Sequence, residues 1–288
     1  MAPLRLLVVE GNTADGRQRH LETSGITPSE AYAGVLKDLA DDAVVDICFP
    51  ADPGANIPDP AGIAGYDGVA ITGSALNLWK AEPESLRQVE LARAVFAAQV
   101  PFFGSCWGLQ VAAVAAGGAV RRNPAGRELA IGRKITLTEV GRAHPMHRGR
   151  PWAFDAPAVH MDEVATLPGE VTVTASNAVS AVQAAEIRWQ GGVFWGVQYH
   201  PEYTLEDIAF TLARYDGRLI EEGFYASTAE LETHIGALRS LYRDPAQPGL
   251  AWRLGIDRDI LDPAQRLAEI ANWISGQVRP ARAKRLRE

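Results

Sequence analysis

A cysteine placed between an apolar run and an alanine-rich segment is the feature that most constrains this sequence. The apolar run over 100–103 predicts a buried strand, and Gly104 ends it. Cys106 follows among small residues, and the alanine-rich segment over 111–116 predicts a helix. Small residues on both sides of a cysteine allow the strained strand–turn–helix conformation that presents one nucleophilic side chain. The sequence therefore predicts Cys106 at a helix N-terminus, where the helix dipole favours the thiolate.

The two cysteines of the chain admit different interpretations. Cys106 is either a nucleophile or a buried structural residue, because unpaired cysteines are among the most buried side chains and a nucleophile needs a base from elsewhere. Cys48 lies inside a predicted apolar strand with no activating group nearby, so we expect it to be structural. Two cysteines do not make a disulfide framework, and their number is typical of a reducing compartment.

Composition and charge narrow the classes of function. A formal net charge of -7 argues against nucleic-acid binding, which basic surfaces favour. No apolar segment is long enough to span a bilayer, so we expect no membrane partner. The N-terminus runs directly into a predicted strand and lacks the cleavage pattern of a signal peptide. We therefore expect a cytoplasmic protein.

Predicted strands alternate with predicted helices in the first third of the chain. Apolar runs over 4–9, 44–49 and 66–72 predict strands, and helical segments separate them. This order is typical of an open, mostly parallel α/β sheet, in which functional groups gather at the carboxyl ends of the strands. Gly73 and Cys106 both fall at such ends.

The last strong predicted strand, over 192–200, ends in a histidine. His200 would supply the general base for a thiol nucleophile, and Glu202 would reach the other ring nitrogen. Each residue alone has an ordinary structural explanation, because a histidine beside a proline is usually structural and a carboxylate after a strand usually begins a helix. Together with Cys106, they form the hypothesis of a Cys–His–Glu triad.

Three segments resemble the class I, triad-type glutamine amidotransferases, and most of all the glutaminase domain of GMP synthetases. The segments are Gly-Ser-Cys-Trp-Gly-Leu-Gln over 104–110, Val-His-Met-Asp-Glu-Val over 159–164 and Gly-Val-Gln-Tyr-His-Pro-Glu over 196–202. They occur in the order and spacing of that family, and the resemblance covers about residues 4–208. It implies an α/β fold: a three-layer flavodoxin-like sandwich with a mostly parallel central sheet, here followed by a helical C-terminal extension.

The resemblance implies hydrolysis of the glutamine side-chain amide without a metal or a cofactor. Cys106 would attack the amide carbonyl, His200 would pass a proton to the departing ammonia, and Glu202 would orient His200. The oxyanion hole of the family corresponds to the backbone N–H groups of Gly73 and Trp107. Such donors must be fixed in place before charge develops on the carbonyl oxygen.

The resemblance also places three side chains at the substrate. Gln110 would contact the α-amino and carboxylate ends of glutamine, and His160 and Asp162 would line the same end. Met161 stands where the family usually has glycine, and Ser74 begins a loop that replaces the family's glycine-proline turn. These two departures leave open the backbone contacts to substrate and the shape of the oxyanion loop.

We expect a class I glutamine amidotransferase domain over 1–224 and a helical extension over 225–288. No phosphate-binding Gly-x-x-x-x-Gly-Lys loop follows Glu202, and the remaining stretch is too short for a synthetase domain. Ammonia would therefore pass to an acceptor on a separate chain, such as a synthetase subunit. His144 and His147 are expected to lie in a loop and not at a metal, because no third ligand is nearby.

Two other functions fit the same residues. The first is a γ-glutamyl hydrolase or transferase that acts on γ-glutamyl amines with the same triad and needs no user of ammonia. The second is a flavodoxin-like binding module without catalysis, and the intact set of Cys106, His200 and Glu202 argues against it.

The C-terminal extension carries apolar residues at helical spacing, and helices of this kind must bury their apolar face. They either pack on the α/β body or dock a partner chain. We expect packing on the body, because Trp252 and Trp273 would otherwise form exposed apolar surface.

Overall fold

The computed structural model describes residues 2–55 and 57–287, and a sheet of nine strands lies at the centre of this part of the chain. The strands of the chain are β1 (Leu4–Val9), β2 (Ala43–Cys48), β3 (Gly68–Ile71), β4 (Phe102–Ser105), β5 (Ala119–Arg122), β6 (Ile131–Leu137), β7 (Ala153–Pro157), β8 (Asp162–Thr166), β9 (Val171–Ser176), β10 (Ala184–Trp189) and β11 (Gly192–Val197). The large sheet has the order β2-β1-β3-β4-β11-β10-β9-β6-β7, and β5 pairs with β8 in a separate sheet.

Five neighbouring strands of the large sheet, from β2 to β11 in the sheet order, are parallel to one another. Strand β1 pairs in parallel with β2 and β3, and β4 pairs in parallel with β3 and β11. Strands β10, β9, β6 and β7 continue the sheet in antiparallel orientation. Strands β3 and β4 are buried along their whole length, as expected where helices cover both faces of a parallel sheet. The predicted α/β fold with a mostly parallel central sheet is confirmed.

Helix starts follow ordinary capping rules. Thr27 caps the second helix through a capping box with Glu30, and Pro28 occupies its first turn. The helices are α1 (Ala14–Ser24), α2 (Pro28–Leu39), α3 (Pro60–Ile63), α4 (Pro83–Ala97), α5 (Trp107–Ala115), α6 (Glu139–Ala143), α7 (Leu205–Glu221), α8 (Thr228–Arg243), α9 (Pro248–Leu254), α10 (Arg258–Leu261), α11 (Pro263–Arg266), α12 (Ala268–Trp273) and α13 (Arg279–Arg285). Short 3-10 turns lie at Leu78–Lys80 and Pro145–His147, and a π turn lies at Ile274–Val278.

Two apolar cores cover the two faces of the parallel strands. Phe103 of β4 lies in one core with Tyr32 and Trp273, and Phe102 lies in the other with Phe96. Neighbouring residues of a strand point to opposite faces, so β4 contributes to both cores. Helices, sheet and helices therefore form the three layers expected from the sequence.

The C-terminal extension packs on the α/β body. Trp273 is fully buried, and its ring centroid lies 5.8 Å from that of Phe103. A further apolar core joins α7 to α8, with Leu212 and Leu238 among its members. Packing on the body is confirmed for Trp273 but wrong for Trp252, which is 83% exposed. The predicted domain boundary at residue 224 stays a prediction. Two of the apolar cores contain residues from both sides of it.

Candidate active site

Cys106 lies at the turn between β4 and α5, as the sequence predicts. Its backbone has φ 51° and ψ -96°, which L-residues rarely adopt, and its N–H donates to the Val197 carbonyl at 2.7 Å. A Cβ on Gly104 would lie 2.7 Å from the Gly108 Cα, and a Cβ on Gly108 would lie 2.8 Å from the Ile71 oxygen. Close contact between helix and strands therefore holds the strained turn in place.

The structure brings the three predicted triad residues together at the carboxyl ends of β4 and β11. The Nδ1 atom of His200 lies 2.7 Å from Oε1 of Glu202. Cys106 lies close enough to His200 to affect its charge, and its Sγ lies 4.0 Å from the Val159 carbonyl oxygen. All three side chains are buried. The arrangement is that of a nucleophile, a base and an orienting carboxylate.

Charge at the triad favours a protonated histidine. Burial alone would lower the pKa of His200, but the hydrogen-bonded Glu202 carboxylate and the nearby Cys106 side chain raise this pKa from 6.5 to about 10. The imidazole is therefore a cation near neutral pH. A cationic imidazole at this position can donate a proton to a leaving group.

Two further contacts hold the His200 ring. Tyr203 stacks on it with ring centroids 4.1 Å apart and an interplanar angle of 10°. On another side, a Cβ on Gly73 would lie only 2.5 Å from Cε1 of His200, so only glycine fits there. Tyr203 was not predicted from the sequence. Its sole signal was an aromatic residue three positions after the histidine, and this signal does not reveal a stacking contact.

The two predicted oxyanion donors lie in fixed backbone near the triad. The Gly73 carbonyl accepts hydrogen bonds from Asn12 Nδ2 at 3.2 Å and from Thr72 Oγ1 at 3.0 Å. Trp107 is buried, and its Nε1 donates to Gln88 Oε1 at 2.7 Å. Among the described residues, no hydrogen bond uses the backbone N–H of Gly73 or of Trp107. Their role as oxyanion donors stays a prediction.

A cleft of about 530 Å³ opens beside Cys106, and the predicted substrate-binding residues Gln110, His160 and Asp162 line it. Gln110 Nε2 donates to the Asp162 carbonyl at 3.1 Å. Both ring nitrogens of His160 have protein partners: Nε2 lies 2.7 Å from Glu128 Oε2, and Nδ1 lies 3.0 Å from the Asp162 carbonyl oxygen. His160 thus holds the backbone of the cleft, and its ring nitrogens are not free for substrate.

The Asp162 side chain is only partly satisfied. Its Oδ2 accepts hydrogen bonds from Asn77 Nδ2 at 2.8 Å and from Trp79 Nε1 at 3.0 Å. Its Oδ1 is buried and has no hydrogen-bond partner among the described residues. Asn77 and Trp79 were not predicted as site residues from the sequence, although they lie shortly after Gly73, which was. An unpaired buried carboxylate oxygen is costly unless a ligand satisfies it.

The histidines of the His-Pro-Met-His segment over 144–147 lie apart from the triad and have partners of their own. His144 precedes a short 3-10 turn and His147 is its last residue, and His144 Nε2 lies 3.2 Å from Glu186 Oε2. Within residues 2–55 and 57–287, no group of three His, Cys, Asp or Glu side chains is placed to hold a metal ion. None of the described helices has the length and apolar character needed to cross a membrane.

Comparison with known proteins gives a consistent picture. The family model for class I glutamine amidotransferases matches residues 59–214. A γ-glutamyl-L-1-hydroxyisopropylamide hydrolase from a Pseudomonas species is 39% identical over 291 residues, which cover 99% of this chain and 96% of that protein. The glutamine-hydrolysing GMP synthase subunit of Methanoculleus marisnigri is 30% identical over 140 residues, which cover 49% of this chain and 68% of that protein.

Solved structures share the fold at low sequence identity. A glutamine amidotransferase from Thermotoga maritima superposes with a TM-score of 0.64 at 15% identity and covers 96% of this chain and 98% of its own. A glutamine amidotransferase from Methylobacillus flagellatus gives a TM-score of 0.56 at 18% identity, with 98% and 95% covered. The helical extension therefore lies within the part of the chain that these structures match.

The family model spans more than half of the chain, and the hydrolase relative aligns along nearly all of it. The resemblance found in the three sequence segments is confirmed. The chain belongs to the class I glutamine amidotransferase family and is a C–N amide hydrolase.

Proposed function

We propose that the chain hydrolyses the γ-glutamyl amide of a small amine and releases glutamate and the free amine. The observation that carries this proposal is the 39% identity to a γ-glutamyl-L-1-hydroxyisopropylamide hydrolase over 99% of this chain, the extension included. The GMP synthase subunit from Methanoculleus marisnigri aligns with only 49% of the chain. A reaction that ends in a free amine also needs no acceptor on a second chain.

In the first half of the proposed reaction, the Cys106 thiolate attacks the γ-carbonyl carbon and forms a C–S bond. The backbone N–H groups of Gly73 and Trp107 stabilise the oxyanion, and loss of one such donor typically costs about 100- to 1,000-fold in rate. The C–N bond then breaks while His200 gives its proton to the amine nitrogen. The free amine leaves, and a γ-glutamyl thioester remains on Cys106.

In the second half, neutral His200 takes a proton from water, and the resulting hydroxide attacks the thioester carbon. The C–S bond breaks, glutamate leaves, and the thiolate–imidazolium pair forms again. Glu202 orients the imidazole through the 2.7 Å contact to Nδ1 and stabilises its charged form. Tyr203 stacks on the His200 ring and fixes the orientation of its plane.

The cleft beside Cys106 would hold the γ-glutamyl end of the substrate. The unpaired Oδ1 of Asp162 would accept a hydrogen bond from the α-ammonium group, and Gln110 would contact the same end. His160 would act indirectly, by holding the Asp162 backbone. Basic side chains that line the cleft would balance the α-carboxylate, and they are Lys80, Arg122 and Arg218. Arg127 also lines the cleft, but it is paired with Glu222 at 2.7 Å.

The second candidate function is glutamine hydrolysis that supplies ammonia to a synthetase on a separate chain. The similarity to the GMP synthase subunit from Methanoculleus marisnigri favours it, because that protein is one part of a glutamine-hydrolysing synthase. The same triad serves both reactions. The two candidates differ in the group on the amide nitrogen and in the need for a partner.

Steady-state hydrolysis by the purified full chain tests the proposal. We expect a higher kcat/KM for γ-glutamyl-L-1-hydroxyisopropylamide than for glutamine, with glutamate measured as the common product. Cys106→Ala should abolish both activities. Cys48→Ala is the matched control, because burial raises the pKa of the Cys48 thiol to about 12 and leaves it unreactive. A kcat/KM for glutamine that equals or exceeds that for the amide would refute the hydrolase proposal and favour the second candidate.

A further inference from the structure

The group on the amide nitrogen of the substrate must lie on the His200 side of the nucleophile. The leaving nitrogen receives a proton from His200, so it must come within hydrogen-bond distance of that ring. In the proposed reaction the carbonyl oxygen would point instead to the N–H groups of Gly73 and Trp107, and the glutamyl chain would fill the cleft. Any substituent on the nitrogen therefore extends beyond His200, away from Asp162.

A second, smaller cavity lies there, which we name the amine pocket. It has a volume of about 30 Å³ and is lined by eleven residues, which include His20, Gly73, His200, Tyr203, Arg214 and Tyr215. Tyr215, Ser74, Ala75 and Val159 line both this pocket and the main cleft, so the two spaces share a rim at the nucleophile. One water molecule needs about 10–15 Å³, so the pocket has room for about two or three water-sized groups. Its size suits a short substituent.

Arg214 of α7 supplies the charge of the amine pocket. Its Nη1 lies 2.7 Å from Nε2 and 2.6 Å from Nδ1 of His20 in α1, and its Nη2 lies 3.5 Å from Thr211 Oγ1. Burial and the neighbouring Arg214 charge lower the pKa of His20 to about 3. His20 is therefore neutral at physiological pH and adds no charge of its own.

The lining of the amine pocket has no acidic residue among the described side chains, and no described carboxylate forms an ion pair with Arg214. The charge of His200 is balanced by Glu202 at 2.7 Å, so Arg214 is the cation of this lining that has no carboxylate partner among the described side chains. A guanidinium without a carboxylate partner is a strong donor to a ligand oxygen. It also repels a second cation in a confined, partly desolvated space.

We propose that the amine pocket selects γ-glutamyl amides whose short amine carries an oxygen acceptor, a hydroxyl or a carboxylate, and that Arg214 donates to this oxygen. The inference rests on the proposed γ-glutamyl amide hydrolysis and adds the chemistry of the amine. Amines with a second ammonium group are rejected by charge. Long amines are rejected by size.

Four γ-glutamyl amides of similar size test the proposal in the full-length enzyme: those of ethanolamine, glycine, propylamine and 1,2-diaminoethane. A hydrogen bond to a charged group should raise kcat/KM for the ethanolamine and glycine amides about 10- to 100-fold over the propylamine amide. The diaminoethane amide should fall below the propylamine amide. The ethanolamine and glycine arms distinguish a hydroxyl preference from a carboxylate preference.

Arg214→Met should reduce the ethanolamine-to-propylamine ratio of kcat/KM to about 3 or less, because the donor is gone. Arg214→Lys keeps the cation and should keep the discrimination against the diaminoethane amide. Arg253→Met, an exposed position in α9, is the matched control and should preserve all ratios.

The outcomes separate the two proposals. Equal kcat/KM for all four amides in the wild-type enzyme, or a preference that survives Arg214→Met, would overturn the role of the amine pocket and leave the hydrolase function standing. The wild-type comparison decides this even if a variant does not fold. Hydrolysis of glutamine but of neither γ-glutamyl-L-1-hydroxyisopropylamide nor any of the four amides would overturn the proposed function itself, and the amine pocket with it.

Discussion

A buried ion pair ties the C-terminal extension to the α/β body. Glu269 of α12 receives two hydrogen bonds from Arg150, from Nε at 2.8 Å and from Nη2 at 2.9 Å, and His147 Nδ1 lies 3.4 Å from the same carboxylate. The Glu269 and Arg150 side chains are 0% and 1% exposed. Burial would raise the pKa of Glu269, but Arg150 and His147 lower it to about 2.

The substitution Glu269→Gln keeps the side-chain volume and removes the charge. It leaves the Arg150 guanidinium buried without a counter-ion, and loss of one partner of such a pair costs about 3–5 kcal/mol. With an unfolding entropy of about 2.1 cal/mol/K per residue, this loss lowers the Tm of a 288-residue chain by about 5–8 °C. The variant should therefore melt well below the wild-type protein.

Differential scanning calorimetry at pH 7 measures this effect. Glu232→Gln on the exposed face of α8 is the matched control, and such surface changes stay within about 0.5 kcal/mol. The folded-state pKa of Glu269 is lowered from 4.5, so its stabilisation is present above that pH and is lost as pH falls through about 2. The Tm difference should therefore shrink in acid. A Glu269→Gln variant that melts within 1 °C of wild type at pH 7, roughly the spread expected of the control, would refute the reasoning.

Four other perturbations have defined outcomes. The double variant Cys106→Ala/His200→Asn should lose no more activity than Cys106→Ala alone, since triad residues act as a unit; multiplicative losses would contradict this. The pKa of His200 is raised in the folded protein, so protonation of His200 stabilises the fold fully below about pH 6.5, and this stabilisation is lost as pH rises through about 10. The difference in Tm between the wild-type protein and His200→Asn should therefore narrow over that range. Arg266 Nε donates to the Pro201 carbonyl at 3.2 Å, so Arg266→Met should lower kcat more than it changes KM and Arg266→Lys should recover part of the loss; an unchanged kcat would exclude a positioning role. Truncation at Asp244 should give a less stable, aggregation-prone chain, and an unchanged Tm would exclude the packing contribution.

The sequence was sufficient to predict the residues at strand ends. Cys106, His200 and Glu202 each lie in a short motif whose local geometry is set by neighbouring glycines, apolar strands or proline. Their meeting follows from the parallel pairing of β4 with β11, which brings the carboxyl ends of both strands to one edge. Local pattern and topology therefore agree at this site.

Contacts that depend on tertiary packing could not be predicted in the same way. Tyr203 and Glu128 are ordinary residues in the sequence, and only the fold places one on the His200 ring and the other on His160. The apolar stripe of the extension predicted burial, and Trp273 confirms it. Periodicity alone does not say which tryptophan lies on the buried face, and Trp252 was therefore misplaced.

The close packing around the Cys106 turn has an evolutionary consequence. One added methyl group at Gly104 or Gly108 would push α5 away from β3 and β4, whatever the chain catalyses. Selection for folding alone would thus preserve both glycines in a descendant that had lost its activity, while the thiol itself would be free to drift. In an inactive relative, both glycines would still indicate common descent. Only the residue that stands in place of Cys106 would indicate whether the protein is still a catalyst.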